Sequence, residues 1–129
     1  MNDPLIWDTC VFSDKDFLYT LRTYHGRKIL PAVAYSELCV HYVNNKNKSP
    51  QDLDRLLNQL DIEVDQLNKL RAQYAALYSK DGKDFKLHNR DYLIGAHAYP
   101  PPRKMITMNK KDSWFLNNVY TPEEISKKF

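Results

Sequence analysis

Acidic side chains interrupt apolar stretches of this sequence in three places. Asp8 lies within "PLIWDTCVF", Glu37 lies within "PAVAYSELCV", and Asp91 begins "DYLIGAHA". Two further polar residues, Asn109 and Asp112, follow the apolar run "KMITM". Burying a carboxylate without a partner is costly, so each acid in such surroundings must meet a cation or hydrogen-bond donors. These side chains are therefore the first candidates for a functional site.

Each acid, taken alone, also has a purely structural explanation. Asp8 could cap a turn that follows the first strand, and Glu37 could pair with a basic neighbour at a helix end. Asp91 could cap its helix together with Asn89, and Asp112 could cap the turn before "SWFL". For any single one of these residues, the structural explanation is the commoner one.

Taken together, the acids indicate a metal site. Several carboxylates at one edge of a sheet repel one another, which raises their pKa values unless a cation lies between them. A divalent cation removes that penalty, and oxygen ligands suit Mg²⁺ or Mn²⁺. The sequence has no clustered cysteines and no His-x-x-x-His pair, which argues against zinc.

Composition and charge set the outer limits. The chain has 129 residues, which predicts a single domain over residues 1–129 with a sizeable core. We find no apolar run of the ~20 residues that a membrane helix needs, and no basic start typical of a secretory signal. Cys10 and Cys39 lie far apart in apolar surroundings, so we expect reduced thiols in a cytoplasmic protein, with a disulfide left open. The formal charge of +3 indicates an anionic partner only weakly.

Short apolar runs that alternate with helical patterns predict an α/β fold. The candidate strands, about five in all, are "LIWD", "KILP", "DIEV", "KMITM" and "NVYT". Between and after them we expect helices, one of which begins at Ser13 and ends at Gly26, and another of which begins at Ser49. The pattern indicates a three-layer α/β/α sandwich around a mainly parallel, twisted sheet. Ligands bind such sheets beyond the carboxyl ends of the strands, where Asp8 and "NKKD" fall.

Two helical segments have a predicted orientation. In "DQLNKLRAQYAALYSKDG", an apolar face is formed by Leu67, Leu70, Tyr74 and Leu77, and Gly82 ends the helix. In "NRDYLIGAHAY", His97 lies on a different helical face from the acid at the start of the segment. We therefore expect His97 to pack in the core.

Four segments in order resemble the motif set of PIN-domain ribonucleases, close to the VapC-type toxins: "LIWDTCVF", "ILPAVAYSEL", "RDYLIGAHAY" and "MITMNKKDSWF". In that family an Asp-Thr-Asn-like motif ends the first strand, and a following helix carries an acid. A later helix opens with an Asp, and the next strand ends in a Thr-x-Asn-x-x-Asp-like motif. The closing "VYTPEEI" also resembles the family's ending. The resemblance covers Leu5 to about Phe115 and implies a PIN-like fold.

The resemblance also implies which side chains form the catalytic site. Four of them would hold the metal and one would supply a further polar group, in the order Asp8, Glu37, Asp91, Asp112 and Asn109. Thr9 and Thr107 match hydroxyl positions that orient the acids or a water. Cys10 stands where Asn is common in the family, and Asn109 stands where many members have Asp.

The implied function is hydrolysis of RNA phosphodiester bonds with Mg²⁺ (or Mn²⁺), which leaves a 5′-phosphate and a 3′-hydroxyl. Toxins of this kind form homodimers and are silenced by an antitoxin protein. Basic residues expected near the mouth of the site could bind the RNA backbone: Arg22, Arg27, Lys28, Lys110 and Lys111. Single-stranded loops are the expected substrate because their bases are accessible.

Two alternatives to a toxin remain at this stage. The same site could belong to a nuclease that processes RNA. The departures at Cys10 and Asn109 also leave room for a degenerate domain that binds RNA or protein without cutting.

Overall fold

A five-stranded parallel sheet forms the centre of the molecule. The computed structural model describes residues 3–80 and 82–127. The strands are Leu5–Trp7 (β1), Lys28–Pro31 (β2), Glu63–Asp65 (β3), Lys104–Ile106 (β4) and Val119–Tyr120 (β5). They lie in the order β3-β2-β1-β4-β5, and each neighbouring pair runs parallel. The predicted strand number and direction are confirmed.

The helices are Lys15–Thr23 (α1), Ala32–Asn45 (α2), Pro50–Gln59 (α3), Lys69–Ser79 (α4), Phe85–Gly95 (α5) and Pro122–Ser126 (α6). Short 3₁₀ turns occur at Thr9–Ser13, Ala96–Ala98 and Lys110–Ser113. Helices separate β1, β2, β3 and β4, as parallel crossovers require. The last two residues of the segment predicted as a terminal helix lie outside the described residues.

Burial of β1 on both faces explains the layered architecture. Leu5, Ile6 and Trp7 are completely inaccessible to solvent, although successive side chains of a strand point to opposite faces. Both faces of the central strand are therefore covered, which is the arrangement of a three-layer α/β/α sandwich. The Trp7 ring packs edge-on against Phe12 and Phe17, at centroid distances of 6.0 and 6.1 Å. The predicted fold class is confirmed.

Helix starts follow local capping chemistry, with one correction. Ser49 caps α3 as predicted, and forms a reciprocal capping box with Asp52. Ser13 does not cap α1, because its hydroxyl donates to the carbonyl of Cys10 within the 3₁₀ turn. Asp14 is the cap instead, since its side chain accepts the backbone N–H of Phe17. The helix that follows ends at Thr23, before the predicted glycine stop.

Of the apolar face predicted for α4, only Tyr74 packs against a core cluster. Leu70 and Leu77 are exposed, whereas Arg71 and Ala75 are the buried residues of the helix. Arg71 is drawn inward because its guanidinium bonds to the Asp65 carboxylate, 3.1 Å away, and to backbone carbonyls of the segment after α5. Paired burial of a cation has therefore overridden the hydrophobic pattern.

The helix that carries Asp91 begins earlier than predicted. Asp84 caps α5 by accepting the backbone N–H of Lys86, and the backbone leaves helical geometry at His88 (φ −123°, ψ 18°). Asp91 therefore lies inside the helix, and the capping role considered for it with Asn89 is wrong. Its carboxylate instead lies 3.7 Å from Nδ1 of His88 and 3.7 Å from Nη1 of Arg90.

A buried polar cluster lies between β3 and the segment after α5. His97 has no solvent exposure, which confirms its predicted core position, and its Nδ1 lies 2.7 Å from the Asp65 carboxylate. Arg71 and Arg103 also contact Asp65. Burial lowers the pKa of His97 in spite of the hydrogen bond to Asp65. His97 is therefore neutral at pH 7.

Two remaining expectations concern the thiols and membranes. Cys10 and Cys39 are free cysteines, and Cys10 is exposed, contrary to the predicted apolar surroundings. Among residues 3–80 and 82–127, the structure contains no helix of the length and apolarity that crossing a bilayer demands.

Candidate active site

The carboxyl ends of β1 and β4 bring distant parts of the chain together. Asp8 follows β1 directly, and its backbone N–H donates to the carbonyl of Ile106 in β4 over 3.2 Å. Its position is thus fixed by the sheet itself, and its side chain is only 8% exposed. Glu37 comes from the second turn of α2, and Asp91 comes from the middle of α5.

Arg90 joins these three acids, and the sequence did not single it out. Its Nε donates to Oε2 of Glu37 over 2.7 Å, and its Nη1 and Nη2 both donate to the Asp8 carboxylate. The Nη1 atom also lies 3.7 Å from Oδ1 of Asp91. The structure therefore brings Asp8, Glu37 and Asp91 around the guanidinium of Arg90. We call these three acids together with Arg90 the acid cluster.

Thr9 supports the acid cluster from the other side of Glu37. Its hydroxyl donates to Oε1 of Glu37 over 2.7 Å, and thereby fixes the carboxylate oxygen that Arg90 leaves unused. Thr107 is buried next to the same edge of the sheet, but its hydroxyl accepts the backbone N–H of Asn109. Thr107 therefore shapes the loop after β4.

The pKa values of Glu37 and Asp91 shift in opposite directions, because only Glu37 accepts short hydrogen bonds from Arg90 and Thr9. Burial acts to raise the pKa of Glu37, but the hydrogen bonds from Arg90 and Thr9 outweigh it and leave that pKa lowered. The pKa of Asp91 is raised, first by burial and then by the negative charges of Asp112 and Asp8. The hydrogen bond to Glu37 is the main cause of the raised pKa of Arg90.

The residues after β4 contribute unequally. Asp112 is half-buried and close enough to act on the pKa of Asp91, so it extends the acid cluster electrostatically. Asn109 is exposed, and its Oδ1 accepts the backbone N–H of Lys111. In the described part of the chain, no hydrogen bond links the Asn109 side chain to the acid cluster.

Three of the five basic residues proposed for RNA do not lie where they were expected. Arg27 and Lys28 stand at the start of β2, at the edge of the sheet opposite Asp8, because β1 and β2 run parallel in register. Lys28 is buried and donates to the carbonyl of Leu21, and Arg27 pairs with Glu63. Their expected place at the mouth of the site is wrong.

The same correction applies to Arg22, in the last turn of α1, because that helix leads from the Asp8 edge back to the start of β2. Lys110 and Lys111, in contrast, follow β4 on the same turn as Asp112. Lys110 forms an ion pair with Glu124, with the Nζ atom 2.6 Å from the carboxylate oxygen. Of the five basic residues, these two lysines are the ones that share a turn with Asp112.

The donor chemistry of the acid cluster suits a hard divalent cation, since Asp8, Glu37, Asp91 and Asp112 offer carboxylate oxygens. With Arg90 between them, however, no three Asp, Glu, His or Cys side chains of residues 3–80 and 82–127 are arranged to hold one ion. The carboxylate oxygens of Asp8 and Glu37 already accept hydrogen bonds from the Arg90 guanidinium and from Thr9. The metal site therefore remains a prediction.

Comparison by sequence gives no relatives: no family model matches the chain, and no curated protein matches it. Comparison by structure defines the class of fold, which is PIN-like. The chain is similar to a chain of a toxin–antitoxin complex from Klebsiella pneumoniae, with a TM-score of 0.72 and 20% identity over 92% of this chain and 97% of that one.

Two further structures give the same result at lower identity. One is DNA-bound VapBC from Salmonella typhimurium, with a TM-score of 0.65 and 12% identity over 95% of this chain and 99% of that one. The other is VapBC2 from Rickettsia felis bound to a promoter fragment, with a TM-score of 0.65 and 17% identity over 92% of this chain and 96% of that one. The chain thus shares, nearly end to end, the fold found in these VapBC complexes.

Proposed function

We propose that this protein is a metal-dependent endoribonuclease and the toxin of a type II toxin–antitoxin pair. The observation that supports the proposal is the convergence of Asp8, Glu37 and Asp91 at the carboxyl ends of β1 and β4. Arg90 lies 82 residues from Asp8 and 53 from Glu37 in the chain, yet it touches both carboxylates. Asp8 is buried, Glu37 and Asp91 are half-buried, and like charges gathered at one edge repel unless a cation lies between them.

The residues of this chain have distinct parts in the proposed reaction. A bound Mg²⁺ or Mn²⁺ would supply water activation and would neutralise charge on the phosphate. Asp8, Glu37, Asp91 and Asp112 would hold it, and Thr9 would keep Glu37 in place. Asn109 would add a polar group at the mouth, where Thr107 holds the loop. No serine, cysteine or histidine nucleophile is required.

Lys110 and Lys111 would bind the RNA backbone beside the acid cluster, since both lie on the turn that carries Asp112. A single-stranded loop suits such an open edge better than a duplex, because its backbone and bases are accessible. Cleavage would leave a 5′-phosphate and a 3′-hydroxyl, in keeping with the motifs that the sequence resembles.

An antitoxin partner is part of the proposal, and the similar chains from toxin–antitoxin complexes support it. A homodimer is also proposed, since Leu70, Leu77 and Leu87 leave an apolar surface on α4 and α5. Light scattering at several concentrations would measure the mass in solution. We place the protein in the cytoplasm, where RNA and a paired antitoxin would be available.

Cleavage of a single-stranded RNA tests the proposal. The wild-type protein should cleave with Mg²⁺ or Mn²⁺ and stop when EDTA is added. Asp8→Asn should lower the rate by about 100-fold or more, because even the partners of metal ligands contribute ~10–100-fold. Asp16→Asn, an exposed acid in the first turn of α1, is the matched control and should retain activity. Cleavage that resists EDTA would contradict the metal mechanism.

A second candidate function is binding of RNA or protein without cleavage. Arg90 favours it, since this side chain already balances charge in the acid cluster and contacts the oxygens that a metal needs. Retained RNA binding with no metal-dependent cleavage would support this candidate. A processing nuclease is the remaining alternative, and a small antitoxin-like reading frame directly upstream would argue for the toxin instead.

A further inference from the structure

Arg90 contacts the same oxygen atoms that a divalent cation would need. Its guanidinium bonds to both carboxylate oxygens of Asp8 and to Oε2 of Glu37. Thr9 bonds to the other oxygen of Glu37. Every carboxylate oxygen of these two acids is therefore engaged by a donor of the chain itself. A cation could not reach Asp8 and Glu37 together unless the guanidinium moved.

The position of Arg90 also allows such a movement. Its side chain is 37% exposed, while that of Asp8 is 8% exposed, so the guanidinium covers the acid cluster from the solvent side. The residue lies two positions after the non-helical backbone of His88. A long side chain at this place can extend into solvent without disturbing the buried part of the site.

Charge favours the replacement of the Arg90 guanidinium by a divalent metal ion. Arg90 brings a single positive charge to Asp8, Glu37 and Asp91, and its guanidinium forms an ion pair with each of them. A divalent ion brings twice that charge, with a smaller radius and no directional donors. The carboxylates cannot bind the guanidinium and the metal ion at the same time, because both cations need the same oxygen atoms.

We infer that Arg90 is an internal counter-ion that competes with a divalent cation for the oxygens of Asp8 and Glu37. Without the ion, Arg90 closes the acid cluster and relieves repulsion between the carboxylates. When the ion binds, the guanidinium leaves. The inference rests on the proposed function for the identity of the acid cluster as a metal site, and it adds a residue that sets the metal affinity.

Mn²⁺ affinity, measured as free Mn²⁺ by electron paramagnetic resonance, tests the competition directly. Arg90→Ala should bind Mn²⁺ at least about tenfold more tightly than the wild type, because an adjacent Arg lowers the proton affinity of a carboxylate by ~10- to 1,000-fold and a metal ion meets the same competition for the oxygens. Arg90→Lys, which keeps the charge without the planar fork, should fall between them. Arg55→Ala is the matched control, since it removes the same charge from an exposed ion pair on α3 and should leave the affinity unchanged.

Stability without metal provides a second readout. In EDTA, Arg90→Ala should have a lower Tm than the wild type, because its carboxylates then repel without a counter-ion. Mn²⁺ should raise the Tm of Arg90→Ala by more than it raises that of the wild type. Equal shifts in both proteins would overturn the inference. If the variant does not fold in EDTA, refolding in Mn²⁺ still gives the affinity measurement.

A measurement on the unaltered protein removes any dependence on variants. The Nε–H of Arg90 donates to Glu37 over 2.7 Å, so its proton should exchange slowly with water. The exchange rate is measured on the nitrogen-15 to proton NMR signal of this group. The signal is assigned by its absence from the Arg90→Lys spectrum. Saturation with Mg²⁺ should shift it and abolish the protection. A signal that stays protected in wild-type protein that has demonstrably bound Mg²⁺ would overturn the inference.

The outcomes separate this inference from the proposed function. If Arg90→Ala binds Mn²⁺ and the wild type does not, the counter-ion role is supported and the proposed activity of the wild type fails. If both bind Mn²⁺ equally and cleave RNA, the proposed function is supported and the counter-ion role fails. Weaker binding by Arg90→Ala would make Arg90 a positioning residue and would overturn the competition. Absence of binding in both proteins would overturn the inference together with the metal site.

Discussion

Glu37 is held from two sides, and at the scale of single residues this makes it the best-defined member of the acid cluster. Thr9 donates to one carboxylate oxygen and Arg90 donates to the other, each over 2.7 Å. Such double support keeps the pKa of Glu37 low in spite of burial. A carboxylate that stays ionised and fixed in direction is a suitable ligand for a hard cation.

Thr9 should therefore act as a positioning residue for Glu37. Thr9→Val removes the hydrogen bond at almost constant volume and should lower Mg²⁺ affinity by ~10- to 100-fold, as expected for a partner of a metal ligand. Thr9→Ser should restore most of it, because the hydroxyl is retained. The measurement is the Mg²⁺ dependence of RNA cleavage together with direct Mg²⁺ titration. A loss that Thr9→Ser fails to restore would indicate packing by the methyl group instead.

The three acids that meet at Arg90 could be predicted from the sequence, but Arg90 itself could not. Asp8, Glu37 and Asp91 stand out because each interrupts an apolar run, and burial makes such positions informative. Arg90 does not interrupt an apolar run, because it follows polar residues at the start of a segment that resembles an ordinary solvated helix. Its contacts depend on the break at His88 and on the crossing of α2 and α5, which are tertiary features. The one available signal was its position directly before Asp91.

At the scale of elements, the packing of α5 against the loop after β4 depends on a glycine. A Cβ atom at Gly95 would lie 2.6 Å from the ring of Phe115, far inside normal contact distance. That ring also packs on Tyr92 and Trp114, at centroid distances of 4.9 and 5.1 Å, so it has little room to move. Gly95 thus permits α5 to approach the segment that carries Asp112.

Gly95→Ala should therefore destabilise the protein, although alanine is the better helix former. Overpacking costs about 1–3 kcal/mol, whereas the gain in helix propensity is about 1 kcal/mol. We expect a net loss of up to ~2 kcal/mol in the free energy of unfolding, measured by urea titration. In the double variant with Phe115→Leu, the two effects should not add, because the smaller side chain relieves the clash. Full additivity would contradict this account.

Helix faces were harder to predict than helix positions. Ser49 and Pro50 identified the start of α3, because capping is a local interaction. The face that α4 buries is decided by Asp65, which belongs to a different element and binds Arg71. Similarly, the register of β1 and β2 placed Arg27 and Lys28 far from Asp8, and no local pattern contains that information.

At the scale of the whole molecule, the predicted strand sequence and layer arrangement agree with the structure because they follow from burial. Runs such as "LIW" and "KILP" are buried along their full length, as strands of a covered parallel sheet should be. Alternation with helices then leaves few possible connections. Strand order, which sets the neighbours of Asp8, is given only by the structure, since the alternation itself fits several orders.

The buried cluster around His97 links the stability of the whole fold to pH. Burial lowers the pKa of His97, with Asp65 acting against it and Arg71 and Arg103 adding to the decrease. Protonation would also place a hydrogen on Nε2, which is buried without a hydrogen-bond partner. The unfolded chain binds this proton more readily than the folded chain, so stability falls as the pH drops through the unfolded histidine pKa of ~6.5.

His97→Gln should make the free energy of unfolding less dependent on pH between about 5 and 7. The contribution of one proton is at most ~1.4 kcal/mol per pH unit, and the wild type should show the steeper slope. Glutamine can still donate to Asp65, so the comparison isolates the titration. His41→Gln, at an exposed position on α2, is the control and should keep the wild-type slope. Identical slopes in wild type and His97→Gln would contradict a neutral buried imidazole.

The anchoring of Asp8 by β4 has a consequence for how the protein is made. β1 is synthesised before β4, whose Ile106 carbonyl fixes the backbone of Asp8. Nascent chains that stall or terminate before β4 lack one of the two strands that pair with β1, and they cannot assemble the site. The site can therefore exist only on chains whose synthesis has passed β4.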